Sequence, residues 1–99
     1  MTMNQKIDAL KEAITEANPN ALFCDGHDED LIGMCTRFGM EPVAAYDYDK
    51  FIARLMRQGM SREAAVEWFE FNTLGAWAGE GTPVFIEHVQ TAERKFCSN

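Results

Sequence analysis

The stretch Cys24–Asp30, CDGHDED, gathers a thiol, an imidazole and four carboxylates within seven residues. Carboxylates and imidazole are ordinary ligands for divalent ions, so Asp25, His27, Asp28 and Asp30 form a candidate donor set. Their spacing does not follow the calcium-loop pattern D-x-[DN]-x-[DN]-G, because Gly26 directly follows the first acid. The alternative is a solvated turn, set by Asp25-Gly26, ahead of a strand. Cys24 and His27 also suggest a thiol nucleophile with its base. The carboxylates of Asp25 and Asp28 oppose that chemistry, since nearby negative charge raises a thiol's pKa and suppresses the thiolate. His88, a lone imidazole in a strand-like run, reads as a hydrogen-bonded or solvent-facing histidine.

Other chemistry is sparse. The patterns GxxxxGK[ST], GxGxxG and GxSxG do not occur. The glycine-rich piece GAWAGEG (75–81) carries only Glu80, the wrong charge for holding phosphate. Lys50, Arg54 and Arg57 form a stripe that solvates a helix and suits its negative C-terminal end. Glu63, Glu67 and Glu70 recur at i, i+4 and i+7. One-turn neighbours on a helix lie about 5–6 Å apart, comparable with phosphates along a strand. With Asp25, Asp28, Glu29, Asp30, Asp47, Asp49 and Glu80, they are candidate acidic patches for binding a partner. Trp77, beside the glycine-rich loop, is the aromatic best placed to join them. No catalytic residue, metal or cofactor is assigned, and the residues point to a non-enzymatic protein.

The elements that position these groups can be read from periodicity. Residues 4–17 carry Ile7, Leu10, Ala13, Ile14 and Ala17 on one helical stripe, with Asn4 as the expected cap and Asn18-Pro19-Asn20 as the stop. ALFCDG (21–26) is a brief apolar run, a short strand or turn. LIGMCTRFG (31–39) and PVAAYDY (42–48) form an expected β-hairpin turning at Gly39-Met40-Glu41-Pro42, with Gly33 marking a bulge or a close neighbour. Asp47 and Asp49 suit the start of a helix, YDKFIARLMRQ, which buries Phe51, Ile52, Leu55 and Met56 and stops at Gly59. Ser61 caps a further helix, in which Ala64, Ala65, Trp68, Phe69 and Leu74 are expected inside. PVFIEHV (83–89) is a last strand added to the hairpin. The expected architecture is α+β: a small, mainly antiparallel three-stranded sheet covered by three helices. Trp68, Phe69 and Trp77 are expected to build the helix-to-sheet core, with Trp77 alternatively at a functional surface.

The chain has 99 residues, enough for one domain (1–99), with 1–3 and 90–99 expected to be loosely ordered. Its net charge of −7 is unevenly placed: residues 1–49 hold ten acids against three bases, while residues 50–99 balance. Such a field repels nucleic acid and attracts basic surfaces, so direct nucleic-acid binding is not expected. The three cysteines are widely spaced, fit no metal knuckle and read as reduced thiols. Nothing resembles a secretory leader or a membrane span of about 20 apolar residues. A cytoplasmic protein is expected.

Four pieces together, DGHDEDLIG, YDYDK, GMSREAAVEWFEFN and GAWAGEGTPVFI, resemble a family of small proteins encoded by bacteriophages, prophages and related mobile elements. The similarity covers roughly residues 21–87. It implies a small intracellular protein of mobile-element origin, working in a bacterial host cell, and no catalytic residue is carried over with it. The expectation that joins this resemblance to the acidity is a stoichiometric, anti-CRISPR-like inhibitor that binds a bacterial defence complex at a basic nucleic-acid site. The alternatives are a homodimeric structural or regulatory protein pairing through the hairpin edge, and a small metal- or ligand-binding enzyme built from CDGHDED and the Trp77–Thr82 loop.

Overall fold

The computed structural model describes residues 2–74 and 79–89. Helix α1 spans Met3–Ala17. Its cap is Thr2 rather than the expected Asn4. The Thr2 hydroxyl accepts from the Gln5 N–H at 3.2 Å, and the Gln5 side-chain oxygen accepts from the Thr2 N–H at 2.9 Å. This reciprocal pair satisfies two amides that a helix start otherwise leaves open. Residues 2 and 3, expected in a loose terminus, therefore belong to the helix and its cap. Asn18 ends α1 and is buried: its Nδ2 donates to the Pro42 carbonyl (2.9 Å) and its Oδ1 accepts from the Asn20 N–H (3.0 Å). One side chain thus closes the helix and ties it to the sheet.

The run 21–26 forms no strand. It leads into a single 3₁₀ turn, Asp28–Asp30. Strands β1 (Leu31–Arg37) and β2 (Met40–Asp47) make the expected antiparallel hairpin. The turn is tighter than expected. Arg37 pairs with Met40, so Phe38-Gly39 alone make the connection, and Gly39 takes a φ of +74° that a side chain would disfavour. Between Leu31 and Gly33, two residues of β1 face one of β2. This is the bulge marked by Gly33; open space around that glycine rules out the close-neighbour alternative.

Helix α2 covers Tyr48–Arg57 and helix α3 covers Arg62–Phe69. Asp47 and Ser61 cap them as expected, accepting from the Lys50 and Ala64 amides at 3.0 and 3.1 Å. Beyond Phe69 the chain widens into a π-helical turn, Glu70–Leu74. Strand β3, Val84–Ile86, lies against β2 on the side away from β1, giving the order β1-β2-β3. It runs parallel to β2, which is possible because two helices intervene and carry the chain back. The described residues make an α+β fold with three α-helices and a mostly antiparallel three-stranded sheet. Among the described residues, no helix is long and apolar enough to cross a membrane.

Every residue from Val43 to Asp47 is buried, so the central strand shows none of the alternation that a half-exposed strand would show. Within a core that also buries Ile14, Leu31, Ile52 and Leu55, the aromatic rings form a connected group. Phe51, Phe69 and Phe85 meet edge-to-face, with ring centroids 4.8–5.6 Å apart, and Tyr46 packs on Phe51 and Phe85. Burying a side chain such as Phe51 contributes about 1.5–3 kcal/mol. Of the expected aromatic core, Phe69 is inside, but Trp68 is 38% exposed. Trp77 lies outside the described residues. Ala64 and Met56 are exposed too, because α3 turns only Ala65 and Phe69 fully inward and α2 only Phe51, Ile52 and Leu55.

Candidate functional site

The surface of α3 sets a row of acidic side chains beside exposed aromatics. Ala65 and Phe69 point inward, which leaves Glu63, Glu67 and Glu70 on the outside. Among the described residues, none of the three has a cation within ion-pairing distance. Beside this row lie Trp68 and Phe71, the latter 75% exposed. Phe71 lies two positions beyond Phe69, on the far side of the helix, while Thr73, four positions beyond Phe69, continues the inward stripe. The Asn72 side chain donates to the Trp68 carbonyl at 3.0 Å, within the turn where the regular ladder is disturbed.

Three shallow depressions meet along this helix. Met60, Ala64, Glu67, Trp68, Phe71 and Asn72 line an apolar one. Arg62, Glu63, Val66, Glu67 and Glu70 line an acidic one. The third, about 350 Å³, has Tyr48, Phe69 and Phe85 in its wall and Glu70 and Glu87 beside them. Glu67 borders the first two and Glu70 the last two, so aromatic and acidic surfaces are continuous. Such a surface suits contact with an extended partner more than enclosure of a small ligand, which needs a deep concave site.

The remaining expected acidic residues have different surroundings. Asp28 pairs with Lys11 at 2.9 Å, and Glu29 meets Arg54 at 3.3 Å. Asp25 is exposed, and Glu80 is exposed with its backbone carbonyl accepting from Arg37 at 2.7 Å. Asp30 and Asp47, expected on the surface, are only 1% and 7% exposed. Their carboxylates are occupied within the fold and face no partner.

Asp30 anchors a buried polar cluster. Arg54 donates to both its oxygens, Nε at 3.0 Å and a terminal nitrogen at 3.1 Å, and His27 Nδ1 lies 2.9 Å from Oδ2. The His27 ring stacks flat on Phe51, centroids 3.5 Å apart. The hydrogen bonds that Arg54 donates to Asp30 raise its pKa above the ordinary value, so the guanidinium stays charged. Arg54 was expected in a solvated stripe; instead it matches the charge of a buried carboxylate 24 residues away. His27 and Asp30 come together, while Asp28 turns to Lys11, so the donor set expected in CDGHDED is dispersed. Cys24 is buried, and burial, with smaller contributions from Asp25 and Asp30, pushes its thiol up to about 11. A thiol so protonated is a poor nucleophile.

A second cluster has no counterpart in the sequence reading. The β2–β3 register sets Ile86 beside Asp47, which carries His88 to the start of α2. His88 Nε2 lies 3.1 Å from Asp47 Oδ2, and the His88 backbone N–H donates to Asp49 Oδ2 at 2.9 Å. Burial acts to raise the Asp47 carboxyl, but hydrogen bonds from the Lys50 amide and His88 outweigh it and hold it below the usual value. Asp47 and Asp49 were legible as helix-start residues; their meeting with His88 depends on a parallel strand pairing that local pattern does not encode. The Thr2-x-x-Gln5 box, by contrast, was a readable signal. Comparison of the chain with protein-family models, with curated proteins and with solved structures finds no match.

Proposed function

We propose that this protein is a non-enzymatic binding protein that docks its α3 face on a basic surface of a partner macromolecule. The single observation that carries the reading is the row Glu63, Glu67 and Glu70, without a described counter-charge, adjoining exposed Trp68 and Phe71. Carboxylates in a molecule of net charge −7 steer encounter with a basic surface. Aromatic side chains then supply the short-range, desolvated contact in which most binding energy concentrates. The resemblance to mobile-element proteins suggests the setting: inhibition, in a bacterial host's cytoplasm, of a defence complex such as a CRISPR effector, by covering its basic nucleic-acid site.

The test pairs the wild type with a triple charge reversal, Glu63→Lys, Glu67→Lys and Glu70→Lys. Tagged wild-type protein added to a lysate of a CRISPR-active bacterium should retain the effector complex at low salt. It should lose that complex as salt rises, and the triple variant should fail to hold it at any salt. Phage plating on the same strain should rise when the wild type is expressed and not when the variant is. A complex held equally by both forms would overturn the α3 reading, and unchanged plating would overturn the inhibitory one.

A second reading has its own observation. Strand β1 is a sheet edge, and Ile32, Met34 and Met40 are exposed on the hairpin with Phe38 at its tip. An apolar edge strand invites pairing with a second copy. Light scattering should then give twice the chain mass, with Ile32→Lys returning a monomer; a wild-type monomer at high concentration removes this reading.

A further inference from the structure

We propose that Asp47, Asp49 and His88 form a binding site for a divalent transition-metal ion, with zinc the best match to its donors. The three contribute one imidazole nitrogen and two carboxylate oxygens, and those ligating atoms all lie within 4.8 Å of one another. Among the described residues, no other group of histidine, cysteine and acidic side chains converges in this way. One nitrogen with two oxygens suits zinc and its neighbours better than calcium or magnesium, which favour oxygen alone.

The spacing fits as well as the donor types. Two ligands held about 2.0–2.1 Å from one ion, at tetrahedral to octahedral angles, stand about 2.8–3.4 Å apart. His88 Nε2 and Asp47 Oδ2 are already separated by 3.1 Å. Asp47 is a positioned ligand: it is buried, and its other oxygen is held by the Lys50 amide at 3.0 Å. Asp49, held beside His88 by the His88 N–H, places a carboxylate oxygen within 4.8 Å of both other donors. His88 and Asp49 lie toward solvent, which leaves the ion's remaining positions to water.

The positive end of α2 and the Lys50 ammonium oppose a cation here, and two carboxylates offset them. The metal-free site is a hydrogen-bonded clasp between the end of β3 and the start of α2. In the loaded site the ion takes the place of the proton between His88 and Asp47, and the imidazole carries its proton on Nδ1. Loading therefore fastens the segment after β3 to α2, independently of any partner at α3.

Protein stripped with EDTA is titrated calorimetrically with zinc chloride, alongside Asp49→Asn and His88→Ala. Both substitutions are at positions that bury little, so each variant should fold. The wild type should bind one zinc per chain, melt at a higher temperature with zinc than without, and bind magnesium at least tenfold more weakly. Each variant should lose at least tenfold in zinc affinity and most of the melting shift. In NMR spectra, the His88 ring signals should move on zinc addition and the His27 signals should not. Absence of zinc binding to the wild type, or binding unaltered in both variants, would overturn the site.

Discussion

Asp30 and Arg54 show how one residue's identity depends on a partner distant in sequence. A carboxylate 1% exposed persists as a charge only if matched, and Arg54 supplies two hydrogen bonds in the planar geometry that guanidinium offers. Arg54→Met keeps the aliphatic stem yet strands the charge, and should cost about 3–5 kcal/mol in urea denaturation. Arg62→Met, an exposed change, should fall within about 0.5 kcal/mol. Cys24 and Tyr46 give a second consequence. Burial raises both, Cys24 from 9.0 to about 11 and Tyr46 from 10.0 to higher still, and the Cys24 N–H donates to the Tyr46 hydroxyl at 2.8 Å. The folded state holds both protons more tightly than the unfolded one. The Cys24 contribution is therefore complete below pH 9 and is lost as pH climbs through about 11, while that of Tyr46 is complete below pH 10 and is lost at higher pH still. Stability measured by denaturant should fall across that window, Cys24 accounting for about 1–2 kcal/mol after solvent screening. Cys24→Ala should flatten the lower part of the decline.

Helix α3 divides its residues between folding and surface. Phe69 touches Tyr48, Phe51 and Phe85, whereas its neighbour Trp68 lines an open depression. Phe69→Ala should therefore lose about 3–5 kcal/mol, and Trp68→Ala less than about 1.5 kcal/mol, by chemical denaturation. If the tryptophan proved the costlier loss, α3 would be facing the other way. The sequence supported both positions inside, since a helical stripe of small and aromatic residues admits adjacent phases. The choice fell to Tyr48, Phe51 and Phe85, whose rings receive Phe69 edge-to-face.

Across the whole molecule, the chain closes through backbone rather than side chains at one point. The Gly81 carbonyl accepts from the Leu22 N–H at 3.0 Å, and a methyl on Gly81 would collide with the Asn20 carbonyl oxygen. Arg37 reaches across to the Glu80 carbonyl beside it, so the loop before β3 is fastened to both the 20–22 segment and the hairpin. Gly81→Ala should lower the melting temperature by several degrees, in line with a loss of about 1–3 kcal/mol for a forced overlap. An unchanged melting temperature would mean that the loop does not sit against residues 20–22.

Local signals in the amino-acid order were enough for the helices, the hairpin and the caps at Asp47 and Ser61, and they flagged Gly33 as a bulge or a close neighbour. Each depends on periodicity or on groups only a few residues apart. The parallel seating of β3, the phenylalanine core, the burial of Asp30 and the meeting of Asp47, Asp49 and His88 came only with the folded chain. Those features join positions about 20 to 40 residues apart, and such pairings are decided by which surfaces exclude water together. The carboxylates divide the same way: their spacing along α3 was written in the order of residues, but which of them find a counter-charge is a property of the packed molecule.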